Sequence, residues 1–392
     1  MNKQQKKLEI AILSSHPTQH EGPMFQNINK HPLINLTVYF YSNSNDLQIK
    51  KRIDPEVGYL PNWDIPILEG YKYKFISCLT IKGYIKDLLN EDYDVIVIEG
   101  YNSLYSWLTM IIARVIRKIP VIFRCDSTLL HKNTTLKSMV KKPILKIVFY
   151  ISSAYLYIGT LNKKFYQYYK IPQEKLFLVP YAVDNDFISE KTNIFRRKKN
   201  EYKKQLGISE DMFVILGILK FIQRESPMDL LKAYNSLYQK NIKVALVLVG
   251  DGKQRTALEE YIKQYQLNNV YLVGYKEYSE LPKFYAITDI FVHPAIRGSW
   301  ELSINEAAAA SLPIITTDLV GSAKDLIKEG SNGFIYHAGD IKELAEKLEI
   351  LLKNRNLIIK MGQESQKIVL SWDYKQCVKG FVEAVTYVHV KK

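Results

Sequence analysis

Glu306 is the side chain of this sequence whose surroundings point most clearly to ligand chemistry. It lies in the stretch 291–321, where an apolar run ends at His293 and an alanine-rich pattern at 302–311 predicts a helix. The alanines at 307–310 would let that helix pack closely against a sheet, so a carboxylate beside them must be paired or must face a ligand. It could accept hydrogen bonds from a ribose diol. Alternatively, Glu306 is an acid that simply complements the helix dipole.

Two cations, Lys220 and Arg224, are spaced four residues apart directly after the apolar run 213–219. They could clamp a diphosphate together with the N-terminus of the helix that follows, although any loop can carry charges. The next apolar run ends in a glycine turn that contains Gly250 and Asp251. This turn is either a plain left-handed turn or a ligand loop.

The first half of the chain has polar side chains in the loops after its apolar runs. His20 and Glu21 follow the first run, Glu99 ends the third, and Asp126 follows the fourth. An imidazole and a carboxylate could order the hydroxyl groups of an acceptor. A lone histidine, however, more often satisfies a backbone carbonyl. We select His20 and Asp126 as candidate residues of a reaction cleft.

The elements that must position these side chains follow from hydrophobic periodicity. Short β-branched runs alternate with helical patterns in both halves of the chain. The predicted strands are 8–13, 36–41, 95–99, 121–124, 154–158, 176–179, 213–219, 245–249, 270–273, 290–293, 313–316 and 333–336. These runs are apolar on both faces, as parallel strands between helical layers should be, so the sequence predicts an α/β protein with two doubly wound parallel-sheet domains. Ligands of such folds bind at the carboxyl ends of the strands.

Length and charge agree with two domains and add an asymmetry. The chain has 392 residues, and single hydrophobic cores stop growing at roughly 250–300 residues. The net charge is +14, but residues 1–200 hold 29 Lys and Arg against 17 Asp and Glu, so most of the excess lies in the first half. A basic half could face nucleic acid, an anionic membrane or a phosphorylated acceptor, or it could reflect a lysine-rich composition. No basic-aromatic motif is recognised, so we expect no nucleic-acid partner.

Cysteine usage and the length of the apolar runs predict a cytoplasmic protein. Cys78, Cys125 and Cys377 lie far apart without metal-type spacing, which favours a reducing compartment. The apolar part of the first 19 residues is only about six residues long, so we interpret it as a strand and not as a signal peptide. No run reaches the roughly 20 residues that a membrane-spanning helix needs.

A basic segment at 132–149 could still bring the protein to the inner face of a membrane. Lysines beside an apolar stripe are typical of a helix that lies on an anionic surface. An ordinary amphipathic helix, interrupted by Pro143, is the alternative interpretation. The lysines are Lys132, Lys137, Lys141, Lys142 and Lys146. The hypothesis is that the acceptor is lipid-linked or lies at an anionic membrane.

The segment 291–321 resembles the donor-binding signature of glycosyltransferase family 4. In that signature an acid, an aromatic-glycine pair and a second acid eight residues after the first precede Gly-Leu-Pro. The resemblance extends over nearly the whole chain, through blocks such as SSHPTQHEGPMF, FRCDST, VPYAVDNDF, LKFIQRESPMDLL, VLVGDG and LVGYKEYSELPKFYAITDIFVHP.

This resemblance implies a GT-B fold, in which two Rossmann-like domains face a central cleft. The acceptor-binding domain would be 1–190 and the donor-binding domain 200–372, and a C-terminal helix at about 373–392 would pack back on the first domain. The implied reaction is retaining transfer of a sugar from a UDP- or GDP-linked donor to a glycan or lipid-linked acceptor, in the synthesis of cell-surface polysaccharide or glycoconjugate. No cofactor is implied.

Carried over residue by residue, the signature assigns roles to positions of this sequence. Lys220 and Arg224 match the cations for the donor diphosphate, and Glu306 matches the second acid, which holds the donor ribose. Leu302, Ser303 and Ile304 match the turn whose amides face phosphate and sugar. The candidate donor site is Lys220, Arg224, Gly250, Asp251, His293, Leu302, Ser303, Ile304 and Glu306, and the candidate catalytic residues are His20, Asp126 and Glu301.

The sequence departs from the signature on the side that would face the donor sugar. Gly298 stands where the first acid is expected, Glu301 where a glycine is usual, and Ser311 where a glycine precedes Leu-Pro. Two outcomes remain open. Either Glu301 takes the role of the first acid through a changed loop path, or the chain is a non-catalytic partner or glycan-binding subunit of the same fold.

Asp184-Asn185-Asp186 has the form of a DxD motif, which other sugar transferases use to bind a divalent cation. In VPYAVDNDF these residues match a connector of the family that enters the interdomain region. We therefore interpret them as structural and expect no catalytic metal.

Overall fold

The computed structural model describes residues 6–41, 64–130 and 135–391, and for residues 135–140 the backbone alone. Within these ranges the first compact unit contains residues 6–41, 65–182 and 374–391, and the second contains Asp64 and residues 183–373. The chain passes from the first unit to the second between residues 182 and 183, whereas the predicted domains end at 190 and begin at 200.

The strands form one sheet in each unit. The strands of the first unit are β1 (Leu8–Ser14), β2 (Ile34–Phe40), β3 (Lys72–Phe75), β4 (Val95–Glu99), β5 (Val121–Arg124), β6 (Ala154–Tyr157) and β7 (Leu176–Leu178). Those of the second unit are β8 (Phe213–Ile218), β9 (Val244–Val249), β10 (Val270–Gly274), β11 (Ile290–His293), β12 (Ile314–Thr317) and β13 (Gly333–Tyr336).

Helices follow most of the strands and cover the sheets. They are α1 (Glu21–Asn29), α2 (Ile76–Asn90), α3 (Leu104–Ile111), α4 (Thr135–Ile151), α5 (Thr160–Tyr168), α6 (Asn185–Arg196), α7 (Lys199–Gln205), α8 (Pro227–Gln239), α9 (Arg255–Gln264), α10 (Leu281–Ile287), α11 (Leu302–Ala309), α12 (Ala323–Leu326), α13 (Ile341–Leu352), α14 (Arg355–Val369) and α15 (Tyr374–Val390). A π-helical turn, Ile112–Ile116, continues α3.

The sheet of the first unit has the order β3-β2-β1-β4-β5-β6-β7, and all of its neighbouring strands are parallel. Helix α15 packs on β6 and β7, where Phe381 and Val385 join the core beside Val179. A Cβ at Gly380 would lie 1.8 Å from the carbonyl oxygen of Leu178, so only a glycine lets the helix approach this closely.

The sheet of the second unit has the order β10-β9-β8-β11-β12-β13 and is also parallel. All six residues of β9 are buried, which is typical of a strand covered by helices on both faces. The strand order changes direction between β8 and β11, and this change creates a crevice at their carboxyl ends. The α/β prediction of two doubly wound parallel sheets is confirmed.

Each of the twelve predicted strands is present, with bounds that differ by a residue or two. Strand β3 was missed. Its sequence is only Lys-Tyr-Lys-Phe, and it lies at the edge of the sheet with Tyr73 exposed, so it lacks the continuous apolar run that marks the central strands. The alternation of lysine and aromatic residues was the available signal.

The end of α11 explains why a glycine is usual at position 311. The Ser311 amide donates to the Ala308 carbonyl and the Leu312 amide donates to the Ala307 carbonyl, which together form a Schellman motif. This motif requires a left-handed residue, and Ser311 has a φ of 57°. A serine therefore stands in a conformation that costs an L-residue about 1–2 kcal/mol.

Replacement of Ser311 by glycine should raise the free energy of unfolding of the second unit by about 0.5–1 kcal/mol, because the left-handed strain is removed while some chain entropy is lost. Urea titration followed by tryptophan fluorescence would measure the change. Ser311→Ala is the matched control, since alanine keeps the strain. Equal stabilities of the glycine and alanine variants would contradict this explanation.

Candidate active site

The loop after β8 contains Lys220 and Arg224. Both residues contact a buried acid, Glu225, that the sequence did not indicate. Glu225 is almost fully buried, and its carboxylate accepts a hydrogen bond from the Lys220 amide at 2.5 Å and pairs with Arg224 at 3.0 Å. The Ile296 amide, in the loop after β11, donates to the Arg224 carbonyl at 2.9 Å. The two loops at the crevice are thus tied together, and the partly exposed Arg224 guanidinium lies at their edge.

The glycine turn after β9 has a packing role. Gly250 has a φ of 137°, and a Cβ there would lie 1.8 Å from the Leu219 carbonyl oxygen. Asp251 accepts a hydrogen bond from the Gly252 amide and pairs with Arg255 at 2.9 Å. The close approach of Gly250 to Leu219 and a hydrogen bond from the Phe221 amide to the Asp251 carbonyl at 2.9 Å hold the turn against the loop after β8. A contact of Gly250 or Asp251 with a donor stays a prediction.

Helix α11 places Glu306 in the interior of the second unit. Its side chain is nearly fully buried, and the Tyr285 hydroxyl donates to Oε2 at 2.6 Å. Burial raises the pKa of Glu306 to about 7, and the hydrogen bond from Tyr285 opposes that rise. The carboxyl group can therefore change its protonation state near neutral pH. Tyr285 was not indicated by the sequence, since a tyrosine in an amphipathic helix is ordinarily a core residue.

The first turn of α11 lies beside the end of β11. The amides of Leu302 and Ser303 are among those that an α-helix leaves without an intrahelical acceptor, and such amides suit anionic oxygens. The Ile304 amide, in contrast, donates to the Glu301 carbonyl at 3.1 Å. The hydroxyl of Ser303 lies 3.4 Å from Nδ1 of His293, so the helix start and the strand end are in contact.

His293 and Glu301 form a pair of polar groups next to Arg224. Nε2 of His293 lies 3.5 Å from Oε2 of Glu301, and Oε1 of Glu301 lies 3.9 Å from Nη1 of Arg224. Burial lowers the pKa of His293 to about 4, and the charge of Arg224 lowers it further, so the imidazole is neutral at physiological pH. The crevice of the second unit thus contains a cation, a carboxylate and a neutral imidazole.

The first unit gathers charged groups at the carboxyl ends of its own strands. Glu99 and Arg124 are register partners on β4 and β5, and Nη1 of Arg124 donates to Oε1 of Glu99 at 2.7 Å. The Arg124 guanidinium lies over the ring of Tyr181, and the ring of His20 meets the same tyrosine edge-on. His20 is therefore placed in a charged cluster that also includes Arg124 and Tyr181, which the sequence did not indicate.

The protonation states in this cluster are set mainly by burial. Burial lowers the pKa of His20 to about 4, with a further contribution from the charge of Arg124. Burial raises the pKa of Glu99 to about 7, and the neighbouring Glu21 raises it further while Arg124 lowers it. Burial is the main cause that raises the pKa values of Tyr181 and Glu21, and the negative charge of Asp126 raises both further. His20 is neutral, and a role for His20 or Asp126 in catalysis stays a prediction.

The segment Asp184-Asn185-Asp186 begins a helix. Oδ1 of Asp184 accepts a hydrogen bond from the Phe187 amide at 2.9 Å, which makes it the N-cap of α6. The amide group of Asn185 donates to the Val369 carbonyl. Both contacts are structural.

The basic segment forms helix α4, which continues without a break past Pro143. Lys132 and the side chain of Lys137 lie outside the described residues. Lys142 and Lys146 are exposed, as are Ile147 and Tyr150, whereas Lys141 lies over the ring of Phe165. Within the described parts of the chain no helix is long and apolar enough to cross a membrane.

Comparisons with known proteins agree with the geometry of the second unit. Residues 198–368 match the family model described as glycosyl transferases group 1. The chain is 29% identical over 199 residues to the capsular polysaccharide biosynthesis glycosyltransferase CapM of Staphylococcus aureus, an alignment that spans 50% of this chain and 51% of that protein. It is 24% identical over 335 residues to the alpha-monoglucosyldiacylglycerol synthase of Acholeplasma laidlawii, which covers 80% of this chain and 79% of that one.

Solved structures show the same fold. A glycosyltransferase from Rickettsia africae superposes with a TM-score of 0.73 at 14% identity and covers 97% of this chain and 98% of its own. HepE from Anabaena, in complex with UDP, has a TM-score of 0.74 at 15% identity and covers 97% of this chain and all of its own.

The relatives bear on the alternative that Gly298 left open. One is named a glycosyltransferase and the other a monoglucosyldiacylglycerol synthase, so a non-catalytic partner subunit is not favoured. Residues 198–368 of the second unit thus match the glycosyl transferases group 1 family, and the two parallel-sheet domains are those of the GT-B fold.

Proposed function

We propose that this protein transfers a hexose from a nucleoside diphosphate sugar to a glycan or lipid-linked acceptor. The observation that carries the proposal is the spacing along α11, where the first-turn amides of Leu302 and Ser303 lie one helical turn before the buried carboxylate of Glu306. One turn advances about 5.4 Å along the axis. In a nucleoside diphosphate the ribose directly follows the phosphates, so the amides would meet phosphate oxygens and Glu306 would meet the ribose hydroxyls.

Lys220 and Arg224 extend this site to the diphosphate. Transfer of the sugar breaks its bond to the terminal phosphate oxygen, and negative charge develops on the diphosphate that leaves. Cations and helix amides that are held in place before the reaction stabilise this charge without reorganisation. UDP is the first nucleotide to test, because the Anabaena structure that superposes on this chain holds UDP.

The finer proposal is that the configuration at the anomeric carbon is retained. The acceptor hydroxyl would attack on the face from which the diphosphate leaves, and an oxygen of the leaving phosphate would take the hydroxyl proton. The new glycosidic bond then forms as the bond to phosphate breaks. On this account the protein orients the two substrates and stabilises charge, and it supplies no covalent nucleophile.

The proposed acceptor site is the strand edge of the first unit around His20, Glu99 and Arg124. The neutral imidazole of His20 and the carboxyl group of Glu99 can form hydrogen bonds with sugar hydroxyls. The names of the two relatives point to a polysaccharide or a glycolipid product. The exposed lysines of α4 complement the charge of an anionic membrane surface. Together with the exposed tyrosine they support an acceptor at such a surface.

Nucleotide binding tests the proposed function directly. Thermal-shift measurements with UDP-, GDP- and ADP-sugars should show stabilisation by one of these classes, since a ligand that binds the native state raises its apparent stability. Arg224→Ala should weaken the binding of that nucleotide about tenfold or more, because a charge-assisted hydrogen bond to phosphate is lost. Lys342→Ala, on an exposed helix face of the same unit, is the matched control. No shift with any of the three classes would overturn the proposal.

The raised pKa of Glu306 predicts a pH-dependent affinity. The ionised carboxylate accepts hydrogen bonds from both ribose hydroxyls, so protonation below a pKa of about 7 should weaken nucleotide binding. Between pH 8 and pH 6 this group alone should lower the affinity for UDP about tenfold. Isothermal titration calorimetry should find that Glu306→Gln lacks this component. The phosphates of UDP also titrate near pH 6 but affect both proteins equally, so identical pH profiles would exclude the role of Glu306.

Membrane association can be measured by liposome flotation. The protein should float with vesicles that contain anionic lipid, and less so with neutral vesicles or at high salt. Replacing both Lys142 and Lys146 by alanine should reduce flotation severalfold, whereas alanines at the exposed Lys342 and Lys353 of the second unit should not. Binding that is absent, or that ignores salt and lipid charge, would contradict the membrane proposal and leave the transferase proposal intact.

A further inference from the structure

Gly298 and Glu301 compete for the same volume in the second unit. A Cβ built on Gly298 would lie 2.2 Å from Oε1 of Glu301 and 3.1 Å from its Cδ. The Glu301 carboxylate therefore occupies the space that a side chain at position 298 would fill. Any residue larger than glycine at 298 would displace it.

The backbone around this pair is fixed and unstrained. Gly298 forms a bridge with Val320, and its carbonyl accepts a hydrogen bond from the Gly321 amide at 3.0 Å. Glu301 has a φ of −122° and a ψ of 105°, a conformation that any L-residue adopts. A glycine is therefore not needed at position 301. Although Glu301 is the N-cap residue of α11, its side chain makes no capping hydrogen bond and is directed to His293 and Arg224 instead.

The neighbours of the Glu301 carboxylate suit a hydroxyl group. Nε2 of His293 is buried and has no hydrogen-bond partner among the described residues, and it lies 3.5 Å from Oε2 of Glu301. A hydroxyl can donate to a carboxylate and also exchange a hydrogen bond with a neutral imidazole. A phosphate at the same place would be repelled by the carboxylate, so the pair suits an uncharged hydroxyl group better than an anion.

We propose that Glu301 is the carboxylate that contacts the hydroxyl groups of the donor sugar, and that Gly298 is required because it leaves the volume in which this carboxylate lies. The inference rests on the proposed function. The Arg224 guanidinium, which would hold the diphosphate, is 3.9 Å from Glu301, so the group bonded to that diphosphate lies within reach. Glu301 and His293 thereby contribute to recognition of the sugar, separately from the groups that hold the nucleotide.

Comparing the affinities of UDP-glucose and UDP isolates the contribution of the sugar. Glu301→Gln should weaken binding of UDP-glucose about tenfold or more relative to binding of UDP, because a charge-assisted hydrogen bond to the sugar is lost, and it should not weaken the binding of UDP itself. Where the nucleotide screen selects GDP or ADP, the matching sugar nucleotide and nucleotide replace these probes. An equal effect on both ligands, or no effect on either, would overturn the role of Glu301.

A carboxylate swap tests the shared volume. Gly298→Asp alone should lose the preference for the sugar nucleotide over the nucleotide, because two carboxylates then compete for one space. Combining Gly298→Asp with Glu301→Gly should restore at least part of that preference, since a single carboxylate again occupies the volume. The matched control combines Gly298→Ala with Glu301→Gly, which relieves the crowding but supplies no acid and should not restore it.

Equal sugar preference in the swap and in its alanine control would overturn the proposal. If the swap does not fold, as judged by circular dichroism, the Glu301→Gln comparison decides by itself. If the unaltered protein binds no nucleotide, the proposed function is wrong. If it binds both the nucleotide and the sugar nucleotide, and Glu301→Gln changes neither affinity, this inference alone is wrong.

Discussion

The close packing of helix α11 is the constraint on which the candidate site of the second unit depends. Ala307–Ala310 are almost completely buried, and a Cβ at Gly362 of α14 would lie 2.1 Å from the Ser311 carbonyl oxygen. A helix held this tightly has a fixed start and a fixed rotation about its axis. Its first-turn amides therefore face the crevice after β11, and Glu306 is brought into the interior, where its surroundings raise its pKa.

The charged side chains at the carboxyl ends of the strands differ in exposure between the two units. In the second unit, the buried Glu225 accepts a hydrogen bond from the Lys220 amide and pairs with Arg224, which fixes the loop. The Arg224 guanidinium is partly exposed, so an anion can approach it. In the first unit, Arg124 is buried and pairs with Glu99, and its guanidinium lies over Tyr181. A buried ion pair of this kind contributes little net stability, because the cost of desolvating both charges offsets their attraction. The first edge is thus suited to neutral hydroxyl groups and the second to a diphosphate.

Several residues that the sequence suggested for ligand binding also have a structural role. Gly250 allows two loops to pack at a distance that excludes a Cβ, and Asp251 pairs with Arg255. Asp184, which we interpreted from the sequence as structural, caps a helix. A loop at the carboxyl end of a strand must satisfy its own polar groups before it can bind anything, and a linear sequence does not show which loop residues are used in this way.

The sequence by itself determined the α/β class and the twelve apolar strands, because strand and helix periodicities are local properties. It also determined the helix that carries Glu306 and the two cations after β8. Only the tertiary structure decided which side chains interact with the predicted site residues. Glu225 pairs with Arg224, Tyr285 donates to Glu306, and the charge of Arg124 acts on His20. The tertiary structure also decided that the carboxylate of Glu301 fills the space at Gly298, because the direction of a side chain and the volume open to it depend on residues that are distant in the chain.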